Sequence, residues 1–387
     1  MRCRLFLSIL FLSAIYAQAA TLKGVILGNE VGGSPVPNVQ VIAVTGANPT
    51  VSNSDGTFTL LFSGKQPGEM VQLILRKQGF VVVNDIQLRL PLTKDADAEP
   101  LILLLCKEGD REEMARRFYR LKSFDSIEQT YQKRLKELEA KNQANAAAVE
   151  ALRKERDQAR AGAEKLADEL ARTKLESVSD LNREAMSLFL AGKTEDAVRT
   201  LDDEKLRRSA EAGSKLTKEA VDGYLLKARL LTTLFRFDEA AKNYQAAIAV
   251  APDSFEAQFS FAHFERGLNR FPEALAAYTR ALDLARQNGA PADVAKTLNY
   301  LGALHRAQNH MDEASKNLEE ALKIRCELAQ KNPDTYLPDL AATLHNLGLL
   351  RYAQHSMDEG GKNYEEALKI RRQLAQKRLG NSTTIRK

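Results

Sequence analysis

Few residues in this 387-residue sequence have the types and spacing that chemistry requires. His310-Met311-Asp312-Glu313 gives a His-x-x-Glu spacing that some zinc peptidases use. No second His or carboxylate recurs with it, and a catalytic zinc needs three protein ligands. Five His and three Cys in the whole sequence leave few ligands for any metal. Neither a phosphate-cradling Gly-x-x-x-x-Gly-Lys nor a Gly-x-Ser-x-Gly nucleophile elbow occurs. Cys106 and Cys326 are far apart and read as buried single thiols, not as a disulfide framework. Lys369, Arg371, Arg372, Lys377 and Arg378 form a basic helix end, which suits the helix dipole and solubility. These residues therefore predict no catalytic group, no cofactor and no metal.

The bulk composition narrows the partners. The 56 basic and 51 acidic residues nearly balance, leaving a net charge of +5. A protein defined by nucleic acid or an anionic membrane needs a concentrated basic face instead. No Trp and 6% aromatic residues argue against a stacking surface for bases or sugars. The length suggests two or three domains, since single cores rarely outgrow about 250 residues.

Arg2 and Arg4 precede an apolar run from Leu5 to Ile15, and Ala17-Gln18-Ala19 follows as a small-x-small site. That order predicts a cleavable signal peptide over 1–19 and a periplasmic or secreted protein of a bacterial cell. The run is shorter than the ~20 residues that span a bilayer. No later stretch is long and apolar enough to do so, so no membrane span is expected in the mature chain.

Residues 20–106 alternate in short apolar runs. Leu22 to Leu27, Val39 to Val44, Thr57 to Phe62, Val71 to Arg76, Phe80 to Val83 and Leu101 to Leu105 are the expected strands. Gly- and Pro-containing turns separate them, and Asp55-Gly56 is a hairpin signal. The stretches Lys23-Gly24-Val25, Gly33-Ser34-Pro35-Val36-Pro37-Asn38-Val39, Ser54-Asp55-Gly56-Thr57-Phe58 and Arg76-Lys77-Gln78-Gly79-Phe80 resemble the carboxypeptidase regulatory-like domain. The resemblance implies a transthyretin-type β-sandwich serving as an accessory or adhesion module, with no peptidase activity.

Residues 107–180 carry 17 basic and 16 acidic residues and no Pro, and predict a charged helix. A seven-residue register from Leu135 places Leu135, Asn142, Val149, Arg156, Ala163 and Leu170 at one seam position. Leu138, Asn145, Leu152, Ala159, Leu166 and Thr173 fall at the other. Eight of the twelve are apolar, and the flanking pairs Arg134–Glu139, Glu155–Arg160 and Glu169–Lys174 have opposite signs. A homodimeric coiled coil through 131–175 is one expectation, and a solvated single helix spacing two domains is the other.

Residues 181–380 repeat. Phe237-Asp238-Glu239-Ala240 through Tyr244 to Ala247 returns 34 residues later as Phe271-Pro272-Glu273-Ala274 through Tyr278 to Ala281. Met311-Asp312-Glu313-Ala314 follows after 40 more and Met357-Asp358-Glu359-Gly360 after a further 46, with a weaker early copy at Thr194-Glu195-Asp196-Ala197. Small residues recur where two antiparallel helices must approach: Ala228, Ala262, Gly302 and Gly348 on the first helix, Ala240, Ala274 and Ala314 on the second. Tyr244, Tyr278, Leu318 and Tyr364 recur as knobs. The pattern is identified as about five tetratricopeptide repeats, and the last copies resemble the longer repeats of kinesin light chains. Departures are Gly360 in place of Ala and an end-of-repeat Pro clear only at Pro252.

The expected fold class is multidomain α+β: an N-terminal β-sandwich, a charged helix or coiled coil, and an all-α repeat solenoid, with a tail at 381–387. The tetratricopeptide resemblance implies a concave groove lined by the first helices, facing Arg229, His263, Arg266, Asn299, Arg306, His345, Asn346 and Tyr352. Arg and Asn suit extended peptides because they bond a backbone or a carboxylate. The sequence thus reads as an exported non-enzymatic scaffold for peptides or proteins. A structural component of an envelope assembly and an accessory subunit of an enzyme complex are the alternatives.

Overall fold

The computed structural model describes residues 20–92, 100–173 and 178–383, and of 214, 216 and 378–383 the backbone alone. The expected signal segment 1–19 lies outside these residues. The chain divides into two compact units. One comprises the described residues up to Asp125 together with Glu164–Val178 and Met186–Gly192; the other comprises Ser126–Ala163, Ser179–Ala185 and Lys193 onward. Both units draw on the segment 107–180, which the sequence suggested as a spacer of its own.

The first unit holds eight strands: β1 (Ala20–Gly28), β2 (Gln40–Ala43), β3 (Thr50–Val51), β4 (Thr57–Phe62), β5 (Met70–Arg76), β6 (Phe80–Val82), β7 (Arg89–Pro91) and β8 (Leu101–Lys107). Two-residue alternation fixes the faces. In β4, Phe58, Leu60 and Phe62 are buried, while Leu61 between them is 62% exposed. One sheet runs β4-β1-β8-β6 and the other β3-β2-β5-β7. Leu22 of β1 pairs with Leu60 of β4, antiparallel, and Ile26 pairs with Leu103 of β8, parallel. The inward residues of both sheets, among them Ile26, Leu60 and Leu103 from one and Val41, Val71 and Leu73 from the other, form a single apolar core. The short strands β3 and β7 carry too few residues to show alternation in the sequence.

The hairpin expected at Asp55-Gly56 is instead a crossing between sheets. β3 pairs with β2 and β4 with β1, so the turn carries the chain from one sheet to the other. Its own geometry is local: Thr57 donates its backbone N–H (3.0 Å) and its hydroxyl (2.7 Å) to Asp55 Oδ1. These bonds hold the Asp55 carboxyl below the usual carboxylate range. Gly56 has a φ of +78°, and its carbonyl accepts from the Ile26 N–H at 2.9 Å. A strong turn signature thus fixes a reversal without fixing which sheet the next strand joins.

The charged segment is two helices, α1 (Arg111–Ala140) and α2 (Ala146–Arg172), not one. The heptad register is broken at Asn142, where φ is +53°. Asn145 caps α2 by accepting the Ala148 N–H at 2.9 Å. The two Asn read as weak seam positions are therefore a turn and an N-cap, roles that asparagine fills well. Within the first unit, Glu112 pairs with Arg172 (2.8 Å), Arg116 with Asp168 (2.5 Å) and Arg120 with Glu164 (3.7 Å). Within the second, Glu128 pairs with Arg160 (3.5 Å) and Arg134 with Glu155. Rising numbers on one helix meet falling numbers on the other, which is antiparallel packing inside one chain.

Several seam residues of the homodimer expected through 131–175 are covered within the single chain. Leu152, Ala159, Ala163, Leu166 and Leu170 are all buried within the single chain. Exposed ion pairs contribute roughly 0–1 kcal/mol each, against about 1.5–3 kcal/mol for each fully buried Leu. The short connection at 141–145 makes the two helices antiparallel neighbours, and the ion pairs are consistent with that order. Arg134 and Glu155, assigned to separate interchain pairs from the sequence, bond to each other instead; Lys174 lies outside the described residues.

The second unit carries four complete helix pairs: α6 (Ser214–Thr233) with α7 (Phe237–Val250), α8 (Phe255–Gly267) with α9 (Phe271–Gln287), α10 (Pro291–Ala307) with α11 (Met311–Lys331), and α12 (Pro333–Ala353) with α13 (Met357–Thr383). Before them come α3 (Asp180–Leu190), α4 (Thr194–Thr200), which is the weak early copy, and α5 (Asp203–Glu211). The first helices α10 and α12 are longer than α8, and the second helices α11 and α13 are longer than α9, as the kinesin-light-chain resemblance implied. A left-handed residue turns each pair: Phe235, Asn269, Asn309 and His355, with φ between 59° and 63°.

Close approach explains the small residues. A Cβ on Gly302 would lie 2.5 Å from Leu318 Cγ. One on Gly360 would lie 2.9 Å from the Tyr352 ring and 3.3 Å from the Gly348 carbonyl, so the departure from Ala there is fitted to Tyr352. The second unit also holds parts of α1 and α2, where Ser126 Oγ lies 2.9 Å from Thr194 Oγ1 and 3.3 Å from Thr233 Oγ1.

Gly56 allows a direct test of the sheet crossing. An added Cβ would sit 2.5 Å from the Ile26 carbonyl, whereas at Gly64, with the same φ of +78°, it would meet open space. Gly56→Ala is expected to cost about 2 kcal/mol or more and Gly64→Ala about 1 kcal/mol. Urea unfolding of the two variants, followed by the β-sheet signal, checks the order; equal costs would contradict it.

Candidate functional site

The first helices α6, α8, α10 and α12 contact one another in sequence, and the eight candidate residues lie on them. Arg229 of α6 is only 13% exposed at its side chain. Its guanidinium donates to Ser260 Oγ (3.2 Å) and lies 3.6 Å from Glu256, both on α8. It is a tie between repeats, not an open cation. Asp222, two turns earlier on the same face of α6, has its carboxyl raised by burial, against the pull of Lys218 and Arg229.

His263 and Arg266 of α8 both meet Tyr300 of α10. The His263 ring lies edge-on to it at 5.3 Å, and the Arg266 guanidinium lies over it at 5.4 Å. Tyr300 also stacks on Tyr278 at 5.8 Å. Asn299 is buried and accepts a hydrogen bond from Asn346 Nδ2 at 3.0 Å, which links α10 to α12. His345, Tyr352 and Tyr364 form an aromatic group: the Tyr364 ring lies 5.3 Å from His345 and 5.4 Å from Tyr352. Tyr352 is 40% exposed.

Burial lowers the His345 pKa, and the positive Arg371 and Arg306 lower it further. His345 is therefore a neutral ring at neutral pH, able to donate one hydrogen bond and accept one. Arg306 acts on Tyr364 as well as on His345, which places it beside the aromatic group.

The structure thus sorts the candidates into two clusters and one tie. Arg266 with His263 and Tyr300 is one cluster; Arg306 with His345, Tyr352 and Tyr364 is the other; Asn299–Asn346 lies between α10 and α12. The Nε atoms of Arg266 and Arg306 are buried without a hydrogen-bond partner, and neither guanidinium has a carboxylate within 4.0 Å among the described residues. Sequence reasoning missed Tyr300 and Arg371, and Tyr364 was read only as a packing knob. Tyr300, two residues before the small Gly302, was the available signal. Lys296, over the rings of Phe255 (5.7 Å) and Phe259 (4.2 Å), was also missed.

Among the described residues, no three His, Cys, Asp or Glu side chains gather as a metal site requires. His310 and Glu313 open α11, and the His310 ring lies 5.9 Å from that of His305. Cys106 is a free thiol raised to about 11 by burial, then by Asp110. Cys326 is also free and raised. No helix among the described residues is long and apolar enough to cross a membrane.

The lowered pKa of His345 has a definite sign. Its folded value lies below the ordinary 6.5, so the unfolded chain binds the proton first as pH falls. The stability it contributes is present above about pH 6.5 and is lost below it. His345→Gln removes this titration, so the stability difference between wild type and variant should shrink as pH falls from about 8 to about 5. Chemical unfolding of both proteins across that range checks it; a pH-independent difference would count against it.

The family matches fall on the helix pairs α6 to α11. Two tetratricopeptide repeat families match, over residues 221–254 and 253–327. Among solved structures, BtubC (BKLC) from P. vanneervenii is 20% identical, with 66% of this chain and 92% of that one covered and a TM-score of 0.45. MamA is 16% identical, with 51% and 98% covered and a TM-score of 0.39. A Podosopora anserina putative kinesin light chain with nearly identical TPR-like repeats is 15% identical, with 51% and 95% covered and a TM-score of 0.42. No curated protein sequence matches the chain. Tetratricopeptide repeat scaffolds are typically non-catalytic and hold other proteins. Residues 221–327 of this chain are tetratricopeptide repeats, and the protein carries a protein-binding scaffold of that kind.

Proposed function

We propose that this chain is an exported, non-enzymatic scaffold that holds an extended, carboxylate-bearing peptide segment of a partner protein along its first-helix face. One observation carries the reading. Arg229, Arg236, Arg270, Arg280, Arg286 and Arg351 on the repeats are all paired with carboxylates. Arg266 and Arg306, at the same position of successive first helices, have no such partner among the described residues.

A guanidinium held against an aromatic ring loses little freedom when it binds, and its planar fork matches a carboxylate. Arg266 on Tyr300 supplies such an anchor, and Arg306, within electrostatic reach of His345 and Tyr364, supplies a second cation. The Asn299–Asn346 pair offers amide groups between them for a peptide backbone. The N-terminal β domain serves as an accessory or adhesion module, as its resemblance to carboxypeptidase regulatory-like domains implies. Export rests on the order of Arg2, Arg4, the apolar run and Ala17-Gln18-Ala19. β1 begins at Ala20, so cleavage after that site leaves the described strand whole.

Two measurements test the reading. The mass of the mature protein, recovered from cells that secrete it, should correspond to a chain beginning at Ala20; an intact Met1 terminus argues against export. Replacement of Arg266 and Arg306 together by Glu should weaken capture of the envelope partner at least about a hundredfold, with unchanged thermal stability. Arg229→Glu, by contrast, should lower stability, because it leaves Ser260 and Glu256 without their cation. Undiminished capture by the folded double variant would place the binding surface elsewhere.

A further inference from the structure

α13 presents a face of the kind that carries a further helix in the preceding repeats. On α9, Arg286 pairs with Glu320 of the next second helix at 2.8 Å. On α11, Glu319 accepts from Arg351 of α12 at 2.7 Å. Arg325, 4% exposed, donates to the Asp339 carbonyl of α12 at 2.7 Å and to the Thr343 hydroxyl. Leu282 is buried at this surface, and Leu322 packs against Leu340, Ala341 and Leu344 of α12. In each case the following repeat completes the contact.

The repeat offsets place Glu365, Leu368 and Arg371 of α13 at the positions of Glu319, Leu322 and Arg325, and Arg372 at the position of Arg286. All four are exposed, Leu368 by 46%. Glu365, Arg371 and Arg372 have no ion pair among the described residues. Glu365, Leu368, Lys369, Arg372, Gln373 and Gln376 line a shallow cavity of about 470 Å³ on this face.

We propose that a second copy of this chain covers the face, the two α13 helices lying antiparallel about a two-fold axis between Leu368 and Lys369. The occupant follows from charge. Glu365 and Arg372 lie equally far on either side of that axis, each about one helical turn away. Glu365 of one copy therefore faces Arg372 of the other, and the axis repeats the pair. Leu368 meets its own equivalent across the axis, covered by the aliphatic stem of Lys369.

The whole helix is polarised in the same sense. On one side of that axis lie Asp358, Glu359, Glu365 and Glu366 with the single cation Lys362, and on the other lie Lys369, Arg371, Arg372 and Lys377. Antiparallel pairing sets each acidic half against a basic half, whereas parallel pairing sets like charge against like. A self-complementary contact of this type closes on itself and stops at two copies. It lies on α13, away from Arg266 and Arg306, and does not depend on the peptide-binding reading.

Sedimentation of the full chain should show a concentration-dependent dimer. Glu365→Arg alone, or Arg372→Glu alone, sets like charges face to face and should weaken it about tenfold or more. The double variant E365R/R372E restores both attractions and should restore the dimer. In a Cys326→Ser background, Leu368→Cys should oxidise to a covalent dimer and Lys362→Cys should not. A chain that stays monomeric, or a dimer indifferent to both single charge changes, overturns the proposal. So does a dimer that the folded double variant fails to recover.

Discussion

Close approach of paired helices at small residues is the constraint on which the rest of the second unit depends. Leu318 can fill its place only because Gly302 opposite has no side chain, and Tyr352 lies where it does because Gly360 leaves room for its ring. Dispersion is short-ranged, so a gap of even one methyl group forfeits much of the contact. Helices held at that separation place the next residues along each first helix beside one another. The Asn299–Asn346 bond, the His263–Tyr300 contact and the Arg229 tie all follow from this spacing.

The same spacing decides which charges are available. An arginine one position along a first helix reaches a carboxylate of the next repeat and becomes part of the scaffold, as Arg229 does. One turn further on, Arg266 rests on the Tyr300 face, which attracts the guanidinium without neutralising it. Arg306 takes the same position on the next first helix and has no carboxylate within 4.0 Å among the described residues. On α13, Glu365, Arg371 and Arg372 take the positions of Glu319, Arg325 and Arg286 but have no ion pair among the described residues.

The α1–α2 hairpin shows how weak and strong terms divide the labour. Its ion pairs are exposed and individually small, yet their sequence order matches only an antiparallel partner. The turn at Asn142 and the Asn145 cap fix the reversal, and the buried Leu and Ala contribute more than any single exposed pair.

The sequence by itself determined the elements that rest on local, repeating patterns. The two-residue alternation located six of the eight strands, and the 34-, 40- and 46-residue offsets located the helix pairs and their small residues. It also placed Arg266, Arg306, His345 and Tyr352 on one set of helices. Only the tertiary structure decided what depends on contacts between distant residues. The strands flanking Asp55-Gly56 join different sheets, and Asn142 and Asn145 turn one expected helix into two. Arg229 is tied to Glu256 while Arg266 is free of any carboxylate, although the two have the same residue type and comparable surroundings in sequence. Local pattern fixes backbone period and side-chain face, but a salt bridge or a sheet partner is chosen by which neighbour arrives within a few ångströms. That choice is made by packing across the whole unit.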